Sequence, residues 1–353
     1  MPKNPFILAF GEVPELMIDA EQRMAVIVSD LISDRPNLRN FMIYGVRGSG
    51  KTCLLRAIEQ KLSVRDEFIF INLDMGDGEG KNLLNQLAAV LADISDMKKL
   101  YLKADVKLNI WGNELTLENK NPYIDTRIEI EKMLRVLSNK NKKVVITLDE
   151  VANTSGVREF ASAYKELSGQ GLPVYLLMAG LKENIEGIKQ EPRLTFLRRT
   201  FPIELGGLNH TAIREEYKKI LHVDSEKAEE LAYMTKRYSF AFQALGFTYL
   251  EYGDDWLKYY DSLLASYVYK PLWDSLSDKD RFITVIINNT PADSKGKREI
   301  GKILEIGNLK KNELTPYIKR LKNATVITSN ERGTIDYTYP RFDVFVRNMS
   351  ENM

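Results

Sequence analysis

The sequence predicts an α/β fold: a parallel sheet covered by helices, then a helical stretch, then a small module of helices closed by a hairpin. Three observations predict it. Between residues 41 and 205, short β-branched runs alternate with longer helical stretches, the rhythm of a parallel sheet whose crossovers are helices. One of the strand-to-helix connections is rich in glycine and ends in Gly50-Lys51-Thr52. From Leu208 onward the strand pattern lapses, and it returns only near the C-terminus.

Strands are expected at 41–44, 67–73, 143–149, 173–178 and 201–205. Several are apolar nearly throughout, as strands buried on both faces are, which makes them central strands rather than edges. Residues 105–118 break the rhythm. Val106, Leu108 and Ile110 alternate with polar residues, Gly112 and Asn113 supply a turn, and Leu115 and Leu117 resume the alternation. That segment reads as a hairpin. Trp111 lies near its tip, either packed onto its own domain or offered to a partner.

The stretch from Leu208 to Ser275 is helical in pattern and rich in Tyr, Leu, Lys and Glu, so it reads as a helical lid. Beyond it, helices are expected at 278–288, 297–306 and 315–323. Strands at 326–329 and 334–339 follow, joined by Asn330-Glu331-Arg332-Gly333. Three helices and a two-stranded wing are the order of a winged helix-turn-helix. Pro316 is harmless in a first turn with Thr315 as cap, but farther in it would remove a hydrogen bond. The third helix is therefore expected to be short.

Gly45-Val46-Arg47-Gly48-Ser49-Gly50-Lys51-Thr52 satisfies G-x-x-x-x-G-K-[ST], and it leaves the strand at 41–44 to enter a helix expected at 53–61. Glycines let the backbone fold back so that several N–H groups converge on phosphate oxygens, and the helix N-terminus adds positive partial charge. This is a P-loop, and the expected ligand is ATP. Lys51 is expected to bridge the β- and γ-phosphates and Thr52 to hold Mg²⁺ through its hydroxyl. Cys53 closes the nucleotide-binding segment by position. A helix N-terminus lowers a thiol pKa, yet this position is expected to pack rather than react.

A second motif must supply metal positioning and a base. Val144-Val145-Ile146-Thr147-Leu148 is a buried-strand pattern that ends in Asp149-Glu150. Two adjacent carboxylates at the mouth of such a strand are costly unless something cationic or polar uses them. Asp149 is expected to orient Mg²⁺ through water and Glu150 to polarise the attacking water.

Composition bounds the alternatives. With 353 residues, 44% hydrophobic and 28% charged, the chain is in the range of folded proteins of two or three cores. A net charge of +1 gives no global attraction for polyanions, so nucleic-acid binding would need a local basic surface. The single cysteine, Cys53, excludes an intramolecular disulfide and a Cys-based zinc cluster, which fits a reducing cytoplasm. Residues 1–15 are poor material for a signal peptide, and no apolar run approaches a membrane span. His210 and His222 read as ordinary surface or helix residues.

With these residues in place, the chain resembles the AAA+ ATPases with a C-terminal winged helix, particularly the origin-recognition-type initiators of archaea and their bacterial relatives. The likeness rests on Asn4-Pro5-Phe6, GVRGSGKT, Leu148-Asp149-Glu150-Val151, Leu194-Thr195-Phe196-Leu197-Arg198-Arg199 and the final winged-helix pattern. In that family an arginine before the fifth core strand reaches the γ-phosphate of a neighbouring subunit. Arg198 and Arg199 hold that place, so the resemblance implies catalysis in trans within a homo-oligomer; the alternative is that they solubilise a helix end or pair with local acids. Three departures stand out. The fourth strand ends in Leu177-Met178-Ala179-Gly180, where relatives often carry a polar sensor, which implies slow hydrolysis. The lid supplies Arg237-Tyr238-Ser239-Phe240 where relatives have a second sensor Arg or a Gly-x-Pro, and Asp19-Ala20-Glu21 replaces a Gly-Arg-Glu.

The expected architecture is thus a P-loop NTPase parallel-sheet core at 1–206, a helical lid at 207–275 and a winged helix domain at 276–353. The expected function is ATP binding and slow hydrolysis that drives a conformational change. Lys295, Lys297, Arg298, Lys302, Lys310, Lys311, Lys319, Arg320, Lys322 and Arg332 form a local basic surface for double-stranded DNA, diluted by Glu299, Glu305 and Glu313. The competing readings are a STAND-type switch whose winged helix binds protein, and a nucleotide-stabilised scaffold without turnover.

Overall fold

The structure is a computed structural model and describes residues 4–9, 11–76, 78, 80, 82–94, 108–111, 114–117, 126–329, 331 and 333–351. The chain divides into two compact units, one of Ala20–Gly45 and Lys51–Leu205, the other of Met1–Asp19, Val46–Gly50 and Gly206–Met353.

The first unit runs α1 (Ala20–Ile32), β1 (Asn40–Tyr44), α2 (Lys51–Leu62), β2 (Phe68–Leu73), α3 (Leu83–Asp93), β3 (Leu108–Trp111), β4 (Glu114–Leu117), α4 (Thr126–Ser138), β5 (Lys143–Leu148), α5 (Ser155–Gly169), β6 (Val174–Gly180), α6 (Lys182–Gln190), a 3₁₀ turn (Pro192–Arg199) and β7 (Phe201–Glu204). The five expected strands form one sheet in the order β2-β5-β6-β1-β7, and every pairing is parallel. β5, β6 and β1 are central, and both their faces are buried: Val144, Ile146 and Leu148 face α3, α4 and α5, while Phe41, Ile43, Val145 and Leu177 are sealed on the other side. Centrality does not extend to β2 and β7, which are edges. β7 shows it in composition, since Phe201 is 37% exposed although it pairs with Phe41. α2 packs on β6 and α1, burying Leu54, Leu55, Ile58 and Leu62 at helical spacing. It starts at Lys51, two residues before the expected 53.

The hairpin at 105–118 is present as antiparallel β3 and β4, with Leu108 opposite Leu117 and Trp111 opposite Glu114. Its turn, Gly112 and Asn113, and the Trp111 side chain lie outside the described residues.

The second unit is helical to Ser275, as expected: α7 (His210–Leu221), α8 (Ser225–Met234), α9 (Ser239–Glu251), α10 (Trp256–Leu264), a π turn (Ala265–Tyr269) and α11 (Lys270–Ser275). Then come α12 (Asp278–Asn289), β8 (Arg298–Glu299), α13 (Ile300–Ile306), α14 (Lys311–Asn323), β9 (Ile327–Thr328), β10 (Thr334–Tyr337) and α15 (Phe342–Ser350). One apolar core runs through both stretches, from Tyr217, Phe242 and Tyr260 to Trp273, Ile287, Leu321 and Phe342. The N-terminal segment is threaded into it. Phe6 is 2% exposed and lies 5.5 Å from Phe242, edge to face. A Cβ on Gly246 would come within 2.3 Å of the Phe6 ring, so that position admits no side chain.

Three local expectations are corrected. The helix expected at 297–306 starts at Ile300, because Asp293 accepts the Lys295 and Lys297 N–H groups at 2.9 and 2.8 Å and turns Arg298–Glu299 into a strand on β10. The third helix is not short. It begins at Lys311, where Glu313 reaches back to accept the Lys310 N–H at 2.6 Å, and Pro316 lies inside it. The expected C-terminal hairpin gains β8, making a three-stranded sheet β8-β10-β9, and a final helix, α15, follows it. Asn330 and Arg332, between the two expected strands, lie outside the described residues.

Candidate functional site

The glycine-rich loop leaves β1 at Tyr44 and enters α2 at Lys51. Gly48 and Gly50 take φ values of 71° and 91°, a region that L side chains enter at a cost. The loop closes on itself through Ser49 N–H to the Val46 carbonyl at 3.2 Å. The N–H groups of Gly48 and Gly50 have no acceptor among the described residues. Ser49 is 5% exposed, and its hydroxyl has no hydrogen-bond partner among the described residues. At the helix start, the Lys51 ammonium is parked on the Gly45 carbonyl at 3.0 Å.

Two segments 97 residues apart in sequence meet here: the Thr52 hydroxyl donates to Asp149 Oδ2. Asp149 follows the last residue of β5, and its Oδ1 accepts the Glu150 N–H at 2.9 Å. Glu150 is exposed and adopts a left-handed φ of 54°, so its carboxylate stands free of the strand direction. A second link holds α2 to the sheet. Glu59 accepts from Asn72 Nδ2 at 3.2 Å, and Asn72 Oδ1 accepts the Thr147 hydroxyl. Sequence reasoning misses this row of polar side chains on β2 and β5. Its only signal there is a Thr and an Asn in otherwise apolar strands.

The end of β6, where the sequence has no polar side chain, is closely packed. A Cβ on Gly180 would lie 2.8 Å from the Val151 carbonyl oxygen and 3.1 Å from its side chain. Val151 also donates its N–H to the Ala179 carbonyl at 2.9 Å, so the segment after Glu150 is laid directly on the end of β6. Arg198 and Arg199 end the 3₁₀ turn that leads into β7, and both are exposed. Arg198 Nε donates to the Lys189 carbonyl at 3.2 Å. Cys53 is partly buried, and burial pushes its thiol pKa up, which makes it a packing group.

In the second unit, the stretch Arg237-Tyr238-Ser239-Phe240 and the Lys236 before it are engaged. Lys236 and Arg237 take left-handed φ values of 47° and 63°, which costs about 1–2 kcal/mol per residue with a side chain. Lys236 Nζ contacts both Asp336 carboxylate oxygens at 2.9 Å and the Tyr337 carbonyl at 3.1 Å. Arg237 Nε donates to the Leu208 carbonyl at 2.6 Å. Next in sequence, the Tyr238 hydroxyl donates to the Arg47 carbonyl at 2.8 Å, and the Ser239 hydroxyl to the Ser49 carbonyl at 3.2 Å. Burial pushes the Tyr238 phenol pKa well up, keeping it a neutral donor. Asp19, at the altered N-terminal position, accepts the Asn209 N–H at 3.0 Å. The two histidines do ordinary work: His210 contacts Glu229 at 3.1 Å, and His222 ends α7.

The basic surface is partly spent on internal contacts. Arg298 is buried over the Tyr337 ring at 4.8 Å. Lys297 pairs with Glu331, Lys302 with Glu299 at 3.3 Å, and Arg320 with Asp280 at 2.9 Å. Lys295, Lys310, Lys311, Lys319 and Lys322 are exposed. On α14, Lys311, Thr315, Lys319 and Lys322 recur at helical spacing and share one exposed face, while Glu313 and Arg320 lie toward the other.

No protein-family model matches the sequence, and no curated protein matches it. Solved structures do. The ORC2 protein of Aeropyrum pernix, solved as ADPNP-ADP complexes, has a TM-score of 0.59 to this chain at 13% identity, covering 99% of this chain and 98% of that one. At that identity the likeness is one of fold: this chain shares the fold of that protein over nearly its whole length. The Aeropyrum pernix ORC1 protein, solved in complex with DNA, has a TM-score of 0.50 at 15% identity, covering 99% and 96%. Among the described residues no helix is long and apolar enough to cross a membrane.

Proposed function

We propose that this AAA+ chain binds ATP with Mg²⁺ at its P-loop, hydrolyses it slowly, and uses the nucleotide to switch conformation while assembled on duplex DNA. The observation that carries the nucleotide site is the Thr52–Asp149 contact. A hydroxyl and a carboxylate converge beside a helix N-terminus, and a hard oxygen pair of this kind suits Mg²⁺. Mg²⁺ held there would neutralise charge between the β- and γ-phosphates. Lys51 leaves the Gly45 carbonyl for phosphate, the Gly48 and Gly50 N–H groups donate to phosphate oxygens, and Glu150 takes the proton of the attacking water. Slow turnover follows from the Gly180 contact, which leaves no room for a polar sensor.

The exposed Arg198 and Arg199 suit the trans role, because each guanidinium is accessible to a neighbouring subunit and remains charged. DNA contact is supported by the acid-free lysine face of α14, in a winged helix module of residues 276–353. The STAND-type reading is favoured by one observation: the core and the Lys236–Asp336 pair tie the lid to that module.

Isothermal titration and phosphate release test the site. Lys51→Ala should weaken ATP binding by about a hundredfold, the size of one charge-assisted hydrogen bond. Glu150→Gln should bind as wild type and lose turnover by about 10²–10⁴. Undiminished ATP affinity in the Lys51 variant would sink the assignment.

A further inference from the structure

The hydroxyls of Tyr238 and Ser239 come from the start of α9, some 190 residues from the glycine-rich loop in sequence, and both end on loop carbonyls. A trans peptide is planar, and its C=O and N–H point to opposite sides. A donor on the Arg47 carbonyl therefore aims the Gly48 N–H the opposite way. A donor on the Ser49 carbonyl does the same for the Gly50 N–H. Neither of those two N–H groups has an acceptor among the described residues.

The two hydroxyls are themselves held. Tyr238 is 6% exposed and packs edge-on against Tyr339 at 5.2 Å, whose hydroxyl meets that of Thr325 at 3.1 Å. The backbone before Tyr238 is locked in its left-handed pair by the Lys236–Asp336 contact, by Arg237 on the Leu208 carbonyl, and by Leu208 N–H on the Arg237 carbonyl at 2.7 Å. The loop is shaped to receive the phenol: a Cβ on Gly48 would lie 2.1 Å from the Tyr238 oxygen. Steric room and positive φ both restrict this position to glycine.

We propose that Tyr238 and Ser239 are positioning residues that fix the two P-loop peptides with their N–H groups facing the phosphates, in place of a charged second sensor. The inference rests on the nucleotide reading above. Because the hydroxyls act on peptide orientation, they affect phosphate binding in general and leave adenine and ribose recognition untouched.

The test uses the full chain with fluorescent mant-ATP and, in competition, inorganic pyrophosphate, which has neither base nor sugar. Tyr238→Phe keeps the ring and removes the donor; Ser239→Ala removes the other. Each should weaken mant-ATP and pyrophosphate by the same factor, about tenfold per hydroxyl. Ser239→Thr should restore binding. Should Tyr238→Phe lower the melting temperature, the Ser239→Ala and Ser239→Thr pair carries the test alone. Wild-type affinity for both probes in the hydroxyl variants overturns the inference, as does a loss for mant-ATP with pyrophosphate unchanged. Failure of the wild type itself to bind mant-ATP would instead overturn the nucleotide reading.

Discussion

The N-terminus of α2 and the lysine face of α14 are the two places proposed to meet a phosphate, and they are built in opposite ways. At α2 each group has a fixed address: Thr52 on Asp149, Lys51 on the Gly45 carbonyl, and Glu59 to Asn72 to Thr147 behind them. At α14 the charges are on exposed stems, while of the basic residues nearby Arg298 is buried over Tyr337 and Arg320, itself exposed, is paired with Asp280. Fixed groups can support chemistry, because a reacting phosphate must be held in one geometry. Solvated lysines support attraction, which is long in range, tolerant of geometry and weakened by salt. The same residue type thus suits different functions according to what holds it.

The largest expected effect tests whether Arg198 and Arg199 belong with the fixed groups once a second subunit is present. An arginine at the γ-phosphate contributes roughly 10³–10⁵ in rate in P-loop enzymes, so Arg198→Ala/Arg199→Ala should be nearly inactive while still binding ATP. Mixed with Lys51→Ala, which is inactive for the opposite reason, it should regain part of the wild-type rate. An unrescued loss would mean that the arginines act in cis or support the fold.

A smaller effect is expected at α14. Lys311→Glu/Lys319→Glu/Lys322→Glu should weaken duplex DNA binding and reduce the slope of log affinity against log salt by about three, near 0.9 for each phosphate no longer neutralised. Fluorescence anisotropy at several salt concentrations reads both numbers. Point substitutions are the right tool, because deleting residues 276–353 would strip the core that they share with the lid. Unchanged DNA binding would move the face to the protein-docking reading.

The smallest effect sharpens the fixed side. Gly180→Ala pushes a methyl into the Val151 carbonyl, and overpacking of that kind costs about 1–3 kcal/mol. Urea denaturation should show a lower midpoint at unchanged slope, with hydrolysis reduced because Val151 follows Glu150. A neutral result would mean that the β6 end yields easily.

Much of the proposed phosphate site is legible in the sequence because its elements are local: GVRGSGKT sits between a strand and a helix, and Asp149-Glu150 ends an apolar strand. The partners of those residues are not. The strand order, which makes β2 and β7 edges, depends on crossovers that no local pattern encodes. Asn72 and Thr147 are adjacent only through the β2–β5 register. Arg298–Glu299 carries good helix formers, yet Asp293 and the pairing with β10 override their propensity. Pro316 reads as a helix start, although Glu313 at Lys310 is the stronger signal. α15 is within reach of the same reasoning, since Phe342, Phe345, Val346 and Met349 repeat at helical spacing. Tyr238 and Ser239 stand out only as a departure from what the sequence resemblance implies; what they touch depends on the tertiary fold.

The measurement closest to the central claim is an ATP titration of wild type, Thr52→Ala and Asp149→Asn, each with Mg²⁺ and with a chelator. If Thr52 and Asp149 form the metal side of a nucleotide site, Mg²⁺ should tighten ATP binding in the wild type. Both variants should lose most of that gain and keep the metal-free affinity, because Lys51 and the loop N–H groups remain. An equal Mg²⁺ gain in all three proteins, or no ATP binding by the wild type at millimolar concentrations, would contradict the account.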